Sequence, residues 1–332
     1  MYIRKILILT AAIGLVFMGS FAFYVYKVMF KANTSFEGDF KYIYIKSGTS
    51  YNQFLNQIDT YLLSVDDFNV LAKRKKYNVK AGKYRINNGM SNNDIINSLR
   101  SNNITVNVIY NNVNDLNDLA GKISTQIEAD SISFLNSFKG DFFIEKGFDE
   151  KNILSMYIPN SYNFFWNTSA EKFNLRMFEE YTKFWQKNNR VEKANKIGLS
   201  RKEVMILASI VYEESKGNIE LTKIAGVYVN RLKSNWKLQA DPTVKFAAYQ
   251  LDEYKNTVIR RVLNKHLKID SPYNTYKYSG LPPGIISMPS IQAIDAVLNH
   301  EKHNYYFFAA DPSNPGYHSF ARTLSEHKRN AR

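Results

Sequence analysis

The chain of 332 residues contains no cysteine. This absence excludes a disulfide-stapled scaffold, a zinc site with thiolate ligands and a cysteine nucleophile. It is compatible with an oxidising compartment but does not establish one, because cytosolic proteins can also lack cysteine. Internal repeats and low-complexity stretches are also absent, although asparagine is frequent throughout.

Basic residues are in excess, but they are nowhere concentrated. The chain has 44 lysines and arginines against 30 acidic residues, a net charge of +14. Residues 1–35 contribute +4 without a single acid, residues 36–199 contribute +3 and residues 200–332 contribute +7. A nucleic-acid partner would require clustered cations or a recognisable binding module, and the sequence has neither. The charge therefore indicates a solvated surface with mild attraction to anionic envelope polymers or lipids.

The composition is that of a folded protein. Hydrophobic residues make up 45% of the chain and aromatic residues 14%, so enough apolar surface is available to offset the ordering entropy of the chain. The length suggests about two domains. All five histidines and most prolines occur after Ser200, so we expect the function to lie in that segment.

An uncharged run, residues 6–26, follows two cations at the N-terminus. As a helix this run would be about 31 Å long, which matches the hydrocarbon core of a bilayer. Arg4 and Lys5 favour a cytoplasmic N-terminus by the positive-inside rule, although two lysines beyond the run weaken this bias. We therefore expect a single membrane anchor, with residues 32–332 outside the cytoplasm.

The alternative for this segment is a cleaved signal peptide. Ser20-Phe21-Ala22 is a loose small-x-small cleavage site after a shorter apolar core. Apolar and aromatic residues continue past that site to Phe30, which favours the uncleaved anchor.

The next part of the chain, residues 32–110, contains short apolar strands and amphipathic helices but no concentrated chemistry, which is typical of a small binding or spacing module. The patterns predict strands at 42–45, 81–86 and 104–110, and helices over 50–58, 64–75 and 91–99. Residues 111–199 are predicted to be helical connections, including a long helix introduced by the capping box of Thr168 and Glu171.

The helix predicted after Ser200 is apolar on every side. Ser200 and Glu203 form a capping box, and residues 204–211 include only one weakly polar member, so the helix belongs inside a core. Glu214, three residues further on, continues an apolar stripe where the helix reaches a polar rim. A carboxyl desolvated in this way has a raised pKa, stays protonated near neutral pH and can act as a general acid.

Two interpretations of this acid follow from the residues alone. In the first, Glu214 is the buried general acid. In the second, Glu213 and Glu214 merely end the helix in solvent, where Lys216 is a candidate ion-pair partner.

Later segments place amide and phenol side chains next to stiff backbone. The helix predicted at 221–233 has apolar positions that would pack on the preceding helix, and Asp241 is predicted to cap a helix begun by Pro242. The remaining motifs are Tyr273-Asn274-Thr275-Tyr276 and the rigid turn Gly280-Leu281-Pro282-Pro283-Gly284. Aromatic and amide groups beside rigid loops are typical of sugar-binding clefts. Together with a buried acid, they favour a carbohydrate-active enzyme.

Five motifs occur in order and without large gaps. They are Ala208-Ser209-Ile210-Val211 with Glu214, Val229-Asn230-Arg231-Leu232, Leu238-Gln239-x-Asp241-Pro242-Thr243, the Tyr273 motif with its Gly-Leu-Pro-Pro-Gly turn, and His318-Ser319-Phe320 with His327. In this arrangement the chain resembles the YceG-like (MltG) endolytic murein transglycosylases of bacteria. More loosely, Ala81-Gly82-Lys83-Tyr84 resembles the Ala-Gly-Thr-Tyr of that family's LysM-like module.

The resemblance implies an α+β fold in four parts. These are a cytoplasmic stub and transmembrane helix at 1–31, a LysM-like module at 32–110, a helical connecting region of the catalytic domain at 111–199, and the mostly helical α+β core of a YceG-like catalytic domain at 200–332.

The resemblance also implies the site. The family's catalytic residue is the second glutamate of Ile-Val-Glu-x-Glu, which falls on Glu214; Tyr212 replaces the first glutamate, and Glu213 stays an alternative. For His318, substrate or carboxyl positioning and a purely structural role both stay open. The substrate-binding residues are expected to be Asn230, Arg231, Gln239, Asp241, Tyr273, Asn274, Tyr276 and His318.

The implied activity is cleavage of the bond between N-acetylmuramic acid and N-acetylglucosamine within nascent peptidoglycan, with formation of 1,6-anhydro ends that terminate glycan elongation. It requires no metal or cofactor, and the five histidines show no convincing ligand spacing. The implied location is the outer face of the bacterial cytoplasmic membrane, with peptidoglycan synthases and penicillin-binding proteins as partners and no nucleic acid. The alternatives are a hydrolytic muramidase and a non-catalytic peptidoglycan-binding scaffold.

Overall fold

The computed structural model describes residues 2–215, 220–255 and 257–330. Its first element, helix α1 (Tyr2–Phe30), has 29 residues and is therefore about 43 Å long. Among the described residues it is the one helix that is long and apolar enough to cross a membrane. Because a signal sequence would form the same helix, the choice between an anchor and a cleaved leader stays a prediction.

The chain divides into two compact units. The first unit comprises Met1–Val108, Gln126–Glu128 and Asn163–Thr168, and the second comprises Ile109–Thr125, Ala129–Tyr162 and Ser169–Arg332. Strands β3 (Thr105–Tyr110) and β4 (Asn160–Phe165) pair with each other, and the division falls within both of them.

The first unit contains a two-stranded antiparallel sheet with helices on its inner face. Strand β1 (Phe40–Ile45) pairs with β2 (Gly82–Asn87), and Ile43 and Ile45 are buried between exposed neighbours because side chains alternate along a strand. Three helices are each capped by a serine: α2 (Tyr51–Asp59), α3 (Val65–Arg74) and α4 (Asn92–Ser101). The strands and helices predicted for this segment are confirmed, with ends shifted by up to two residues.

The last turn of α1 is held by polar contacts within this unit. The Asn92 side chain donates a hydrogen bond to the Val28 carbonyl at 2.8 Å, and its own oxygen accepts one from Asn33 at 2.6 Å. Lys27 forms a salt bridge with Asp67 at 3.2 Å. Val28 itself is buried in the core of the unit, so the last turn of α1 is part of the folded unit.

The second unit is mainly helical, with a small antiparallel sheet near its C-terminal end. Its elements are α5 (Leu116–Ser124), α6 (Ser131–Ser137), α7 (Asp141–Glu145), α8 (Ala170–Gln186), α9 (Arg190–Ile197), α10 (Arg201–Glu214), α11 (Leu221–Lys233), α12 (Asp241–Tyr249), α13 (Asn264–Leu267), α14 (Ile291–Leu298), β5 (Phe307–Ala310), β6 (His318–Ala321) and α15 (Leu324–Asn330).

Helix α10 lies in the centre of the second unit. Its residues 204–211 are all buried, and it packs against α14, α11 and α12. The one polar side chain on this stretch, Ser209, donates to the Ile206 carbonyl at 2.7 Å and accepts from the Ile286 amide at 3.1 Å. The predicted Ser200–Glu203 capping box is confirmed. The helix therefore carries Glu214 from the core to its rim, as predicted.

Three local predictions are wrong. The long helix α8 begins one residue later than expected, because Ser169 and not Thr168 caps it. Helix α12 has Ala240 as its N-cap and includes Asp241 in its first turn, so the Asp241 carboxylate does not cap it and is available for a side-chain partner. The segment predicted to be helical connections also contains β4, whose sequence Asn-Ser-Tyr-Asn-Phe-Phe lacks a clear alternation of apolar residues.

Candidate active site

A cavity of about 440 Å³ opens beside the C-terminal end of α10. Helices α11 and α12, the loop before α12, the Tyr276 segment, the β5–β6 sheet and α15 all contribute to its wall. Six of the predicted site residues line it: Glu214, Arg231, Gln239, Asp241, Tyr276 and His318. The remaining lining residues are Tyr228, Phe307, Phe308, Ala309, Ala310, Leu324 and His327.

Among the described residues, the Glu214 carboxyl has one direct hydrogen bond, from the Tyr228 hydroxyl to Oε1 at 2.7 Å. Burial raises the pKa of this carboxyl from 4.5 to about 7, because the charged form loses hydration. The Tyr228 hydrogen bond opposes this shift, Asp241 adds to it through its negative charge, and the cations Lys245 and Arg231 oppose it. The acid therefore keeps its proton up to neutral pH and can deliver it within the cavity.

Arg231 brings a buried positive charge to the same wall. Its side chain donates through Nε to the Tyr306 carbonyl at 2.7 Å and through Nη1 to the Leu238 carbonyl at 2.5 Å, and the residue is only 6% exposed. Burial lowers its pKa. Within the described part of the chain it forms no salt bridge, so its charge stays available to a group in the cavity.

Asp241, Tyr276 and Gln239 also line the cavity. The Tyr276 hydroxyl donates to Asp241 Oδ1 at 2.7 Å, and burial raises the pKa of this phenol. Gln239 has a positive φ of 48°, a conformation that residues other than glycine rarely adopt and that is common at binding sites. The backbone N–H of Gln239 donates to the Thr275 carbonyl at 3.1 Å, which connects this position to the Tyr276 segment.

His318 contacts an acid that the sequence analysis did not select. Glu220 Oε2 accepts a hydrogen bond from the His318 backbone amide at 2.8 Å and lies 2.9 Å from Nδ1 of the imidazole. Both side chains are largely buried, with 17% of His318 and 13% of Glu220 exposed. The imidazole packs edge-on against Phe308, which packs edge-on against Tyr228.

Three predicted substrate-binding residues do not line this cavity. The Asn230 amide donates to the carbonyls of His303 and Tyr305 at 2.7 and 3.0 Å. Asn274 is fully buried and donates to two carbonyls of the preceding loop. The Tyr273 ring packs on Phe246, 4.7 Å between centroids. In this structure all three hold the scaffold around the cavity.

Glu213 lies apart from Glu214 although the two are adjacent in sequence. It lines a different cavity of about 680 Å³, together with Lys245 and Tyr249 among others. Lys216, the ion-pair partner considered for these acids, lies outside the described residues. The Glu214 side chain thus faces the cavity that gathers the predicted site residues, and Glu213 does not.

Tyr228, Phe308 and Glu220 were missed as site residues. Tyr228 is one of the apolar positions for which the sequence predicts packing in the helix at 221–233. It lies three positions before Arg231 and therefore on the same face of α11, a spacing that could have identified it. The sequence offers no comparable indication for Phe308 or Glu220, since their positions depend on the fold of the β5–β6 sheet.

The geometry defines a cleft for general acid chemistry. One carboxyl has its pKa raised to about 7, and aromatic, amide and cationic groups surround it, as in sites for polar ring-shaped ligands. No group of three or more His, Asp or Glu side chains within residues 2–215, 220–255 and 257–330 could hold a metal ion.

The comparisons with known proteins agree with this class. The model of the YceG-like family matches residues 43–332, and the chain belongs to that family. A protein of Bacillus subtilis strain 168 named endolytic murein transglycosylase is 32% identical over 268 residues, which cover 75% of this chain and 71% of that protein. A protein of the same name from Streptococcus pneumoniae strain D39 is 33% identical over 132 residues, 40% of this chain and 23% of that protein.

A solved structure shows the same fold. The crystal structure of a yceG-like protein from Listeria monocytogenes superposes with a TM-score of 0.56 at 24% identity, covering 88% of this chain and 99% of that one. The mixed α+β, YceG-like fold is therefore confirmed.

Proposed function

We propose that the protein is a membrane-anchored endolytic lytic transglycosylase that cleaves peptidoglycan between N-acetylmuramic acid and N-acetylglucosamine. The observation that carries this proposal is the Glu214 carboxyl, whose pKa is raised to about 7 in a cleft. The names of the B. subtilis and S. pneumoniae relatives support the substrate and the reaction.

In the proposed mechanism one carboxyl performs both proton transfers. Protonated Glu214 donates to the glycosidic oxygen, and the bond from that oxygen to C1 of the muramic acid breaks. The resulting carboxylate then accepts the proton of the C6 hydroxyl as that oxygen attacks C1. Because the nucleophile belongs to the same sugar, proximity replaces an activated water, and a 1,6-anhydro end forms.

Tyr228 and the cations adjust this proton cycle. The Tyr228 hydroxyl stabilises the carboxylate that forms after the first transfer, and Arg231 and Lys245 act in the same direction through their charge. Without them burial would raise the pKa further, and the carboxylate would be less ready to form.

We assign substrate contacts to the polar side chains of the cavity wall. Arg231 has a buried charge without a salt bridge in the described structure, which suits a carboxylate or carbonyl of the muramyl peptide. Gln239, Asp241 and Tyr276 suit sugar hydroxyls and acetamido groups, and His318 suits a further polar group of the sugar. We assign Asn230, Tyr273 and Asn274 a supporting role, since their side chains contact other parts of the protein scaffold.

The protein would act at the membrane surface beside the enzymes that make its substrate. Helix α1 anchors the protein in the cytoplasmic membrane, with the catalytic part on the outer face, where the substrate is made. Residues 32–110 form a LysM-like module that binds glycan. Strand termination during synthesis implies peptidoglycan synthases and penicillin-binding proteins as neighbours.

The test is product analysis with the full-length protein in detergent micelles. Wild type should release 1,6-anhydromuropeptides from uncrosslinked glycan strands, and Glu214→Gln should release them roughly 10²- to 10⁴-fold more slowly, the usual contribution of a general acid or base. Glu213→Gln is the matched comparison and should stay close to wild type. Failure of wild type to form anhydro ends, or an undiminished rate for Glu214→Gln, contradicts the proposal.

The same experiment distinguishes lytic transglycosylation from the alternative, hydrolysis by a muramidase. Asp241 is a second carboxylate in the cavity, as a two-carboxylate hydrolase requires. Hydrolysis adds one water to the product, so mass spectrometry distinguishes a reducing end from an anhydro end. A reducing end from wild type would assign the protein as a muramidase.

A further inference from the structure

Glu220 and His318 form a carboxylate–imidazole pair beside the cleft, and the acid of this pair has no role in the mechanism above. Glu220 is the last residue before α11, and His318 is the first residue of β6. The carboxylate oxygen Oε2 lies 2.9 Å from His318 Nδ1 and also accepts from the His318 backbone amide at 2.8 Å. One oxygen thus fixes both the main chain and the ring of this residue.

The contact determines which ring nitrogen carries the proton. An ionised carboxylate can only accept, so the hydrogen bond requires a proton on Nδ1. In the neutral imidazole this leaves Nε2 unprotonated and able to accept. Among the described residues Nε2 has no hydrogen-bond partner, and His318 lines the cavity that contains Glu214.

Glu220 does not have a competing role in its own helix. It occupies the N-cap position of α11, but its side chain makes no capping hydrogen bond there. Its carboxylate is 13% exposed, and burial of a charged group requires a partner. The His318 amide and imidazole provide that partner, so the position of this acid is explained by the histidine.

We propose that Glu220 is a positioning residue, which holds His318 in the Nδ1–H tautomer so that Nε2 accepts a hydrogen bond from a hydroxyl or amide N–H of the bound sugar. This inference rests on the proposed function for the identity of the ligand. The tautomer itself is a property of the free protein, so it can be tested without turnover.

The first test is a double-mutant cycle on the full-length protein in micelles. Glu220→Ala and His318→Ala should each lower kcat/KM roughly 10- to 100-fold, the effect of misplacing one group at a reacting centre. The double variant should be no slower than His318→Ala, because Glu220 acts only through the imidazole. Glu220→Gln, whose carbonyl can still accept from Nδ1–H, should lie between Glu220→Ala and wild type.

Two results of the cycle would overturn the proposal. In the first, Glu220→Ala lowers kcat/KM by the same factor in the His318→Ala background as in wild type. The other is a rate for Glu220→Ala as high as that of Glu301→Ala, an exposed glutamate after α14 that serves as the control. If wild type forms no anhydro product at all, the proposed function fails, and the tautomer is then decided by the second test alone.

The second test is ¹⁵N NMR of the full-length protein labelled with ¹⁵N-histidine, recorded at a pH at which imidazoles are neutral. The His318 signals are assigned by their loss in His318→Ala. The proposal predicts a protonated Nδ1 and an unprotonated Nε2 in wild type, and conversion to the Nε2–H form or to a mixture in Glu220→Ala. An Nε2–H tautomer in wild type, or an unchanged tautomer in Glu220→Ala, would refute the proposal. This test does not depend on activity, so it applies even if Glu220→Ala is too slow for kinetic measurement.

Discussion

Two buried arginines of the second unit have opposite surroundings. Arg190, at the start of α9, is 4% exposed and binds both oxygens of Asp295 on α14, at 2.8 and 2.9 Å. Its Nη1 donates to the Phe184 carbonyl, and its guanidinium lies 3.9 Å from the centre of the Phe184 ring. Arg231, 6% exposed, donates to two carbonyl oxygens, has its guanidinium 5.5 Å from the centre of the Phe307 ring, and has no carboxylate partner among the described residues.

The difference separates a structural charge from a functional one. The charge of Arg190 is neutralised inside the protein, so it stabilises the contact between two helices. The charge of Arg231 meets no carboxylate in the described structure, and its nearest titratable neighbours include the Tyr228 and Glu214 groups of the cleft. Burial of such a charge without neutralisation is costly, which favours a role in binding.

The largest effect that would sharpen this comparison is a loss of stability at Arg190. Arg190→Gln leaves Asp295 without its cation and should lower the free energy of unfolding by about 3 kcal/mol, the low end for breaking a buried pair, because Asp295 is partly exposed. Denaturant unfolding of the full-length protein measures this. The kcat of the folded fraction of Arg190→Gln should equal that of wild type. A loss of kcat with unchanged stability would show that Arg190 is a functional residue and not a structural one.

A smaller stability effect and a larger kinetic effect are expected at Arg231. Arg231→Gln breaks no ion pair within the described part of the chain and should lower the free energy of unfolding by about 1–2 kcal/mol through the loss of two carbonyl contacts. Its kcat/KM should fall roughly 10- to 100-fold, the range for a hydrogen bond to a charged group. In the pH profile of kcat/KM, the decline on the alkaline side should move to higher pH, because the Arg231 charge lowers the Glu214 pKa and the variant lacks this charge.

The control for this prediction is Arg190→Gln, assayed under the same conditions. Arg231→Gln could instead retain the wild-type kcat/KM and the wild-type pH profile while losing as much stability as Arg190→Gln. In that case both arginines are structural, and the assignment of Arg231 to substrate binding is wrong.

Local patterns in the sequence predicted much of this architecture, because helix caps and apolar periodicity are encoded by neighbouring residues. The capping box at Ser200 and the apolar run after it identified α10 and placed Glu214 at its end, which the structure bears out. Strand β4 was missed because its pairing with β3 is a distant contact, which a pattern of neighbours does not reveal.

The candidate site was only partly predictable for the same physical reason. Motifs selected Arg231, Gln239 and Asp241, which line the cavity, and equally Asn274, which donates to two carbonyls inside the scaffold. Polar side chains that bind backbone and those that face a ligand look alike in sequence. The partner of His318 lies 98 positions earlier in the chain, and only the fold brings them together.

The central claim is that burial in the cleft raises the Glu214 pKa to about 7, so that a large share of the carboxyl still carries its proton near neutral pH. Its most direct test is an infrared titration of the carboxyl in the full-length protein, taken as the difference between wild type and Glu214→Gln. Because burial disfavours the carboxylate, the protonated signal should persist from low pH and decline with a midpoint near pH 7, and kcat/KM should fall as pH rises through the same range. A midpoint near the ordinary value of 4.5 would contradict the account.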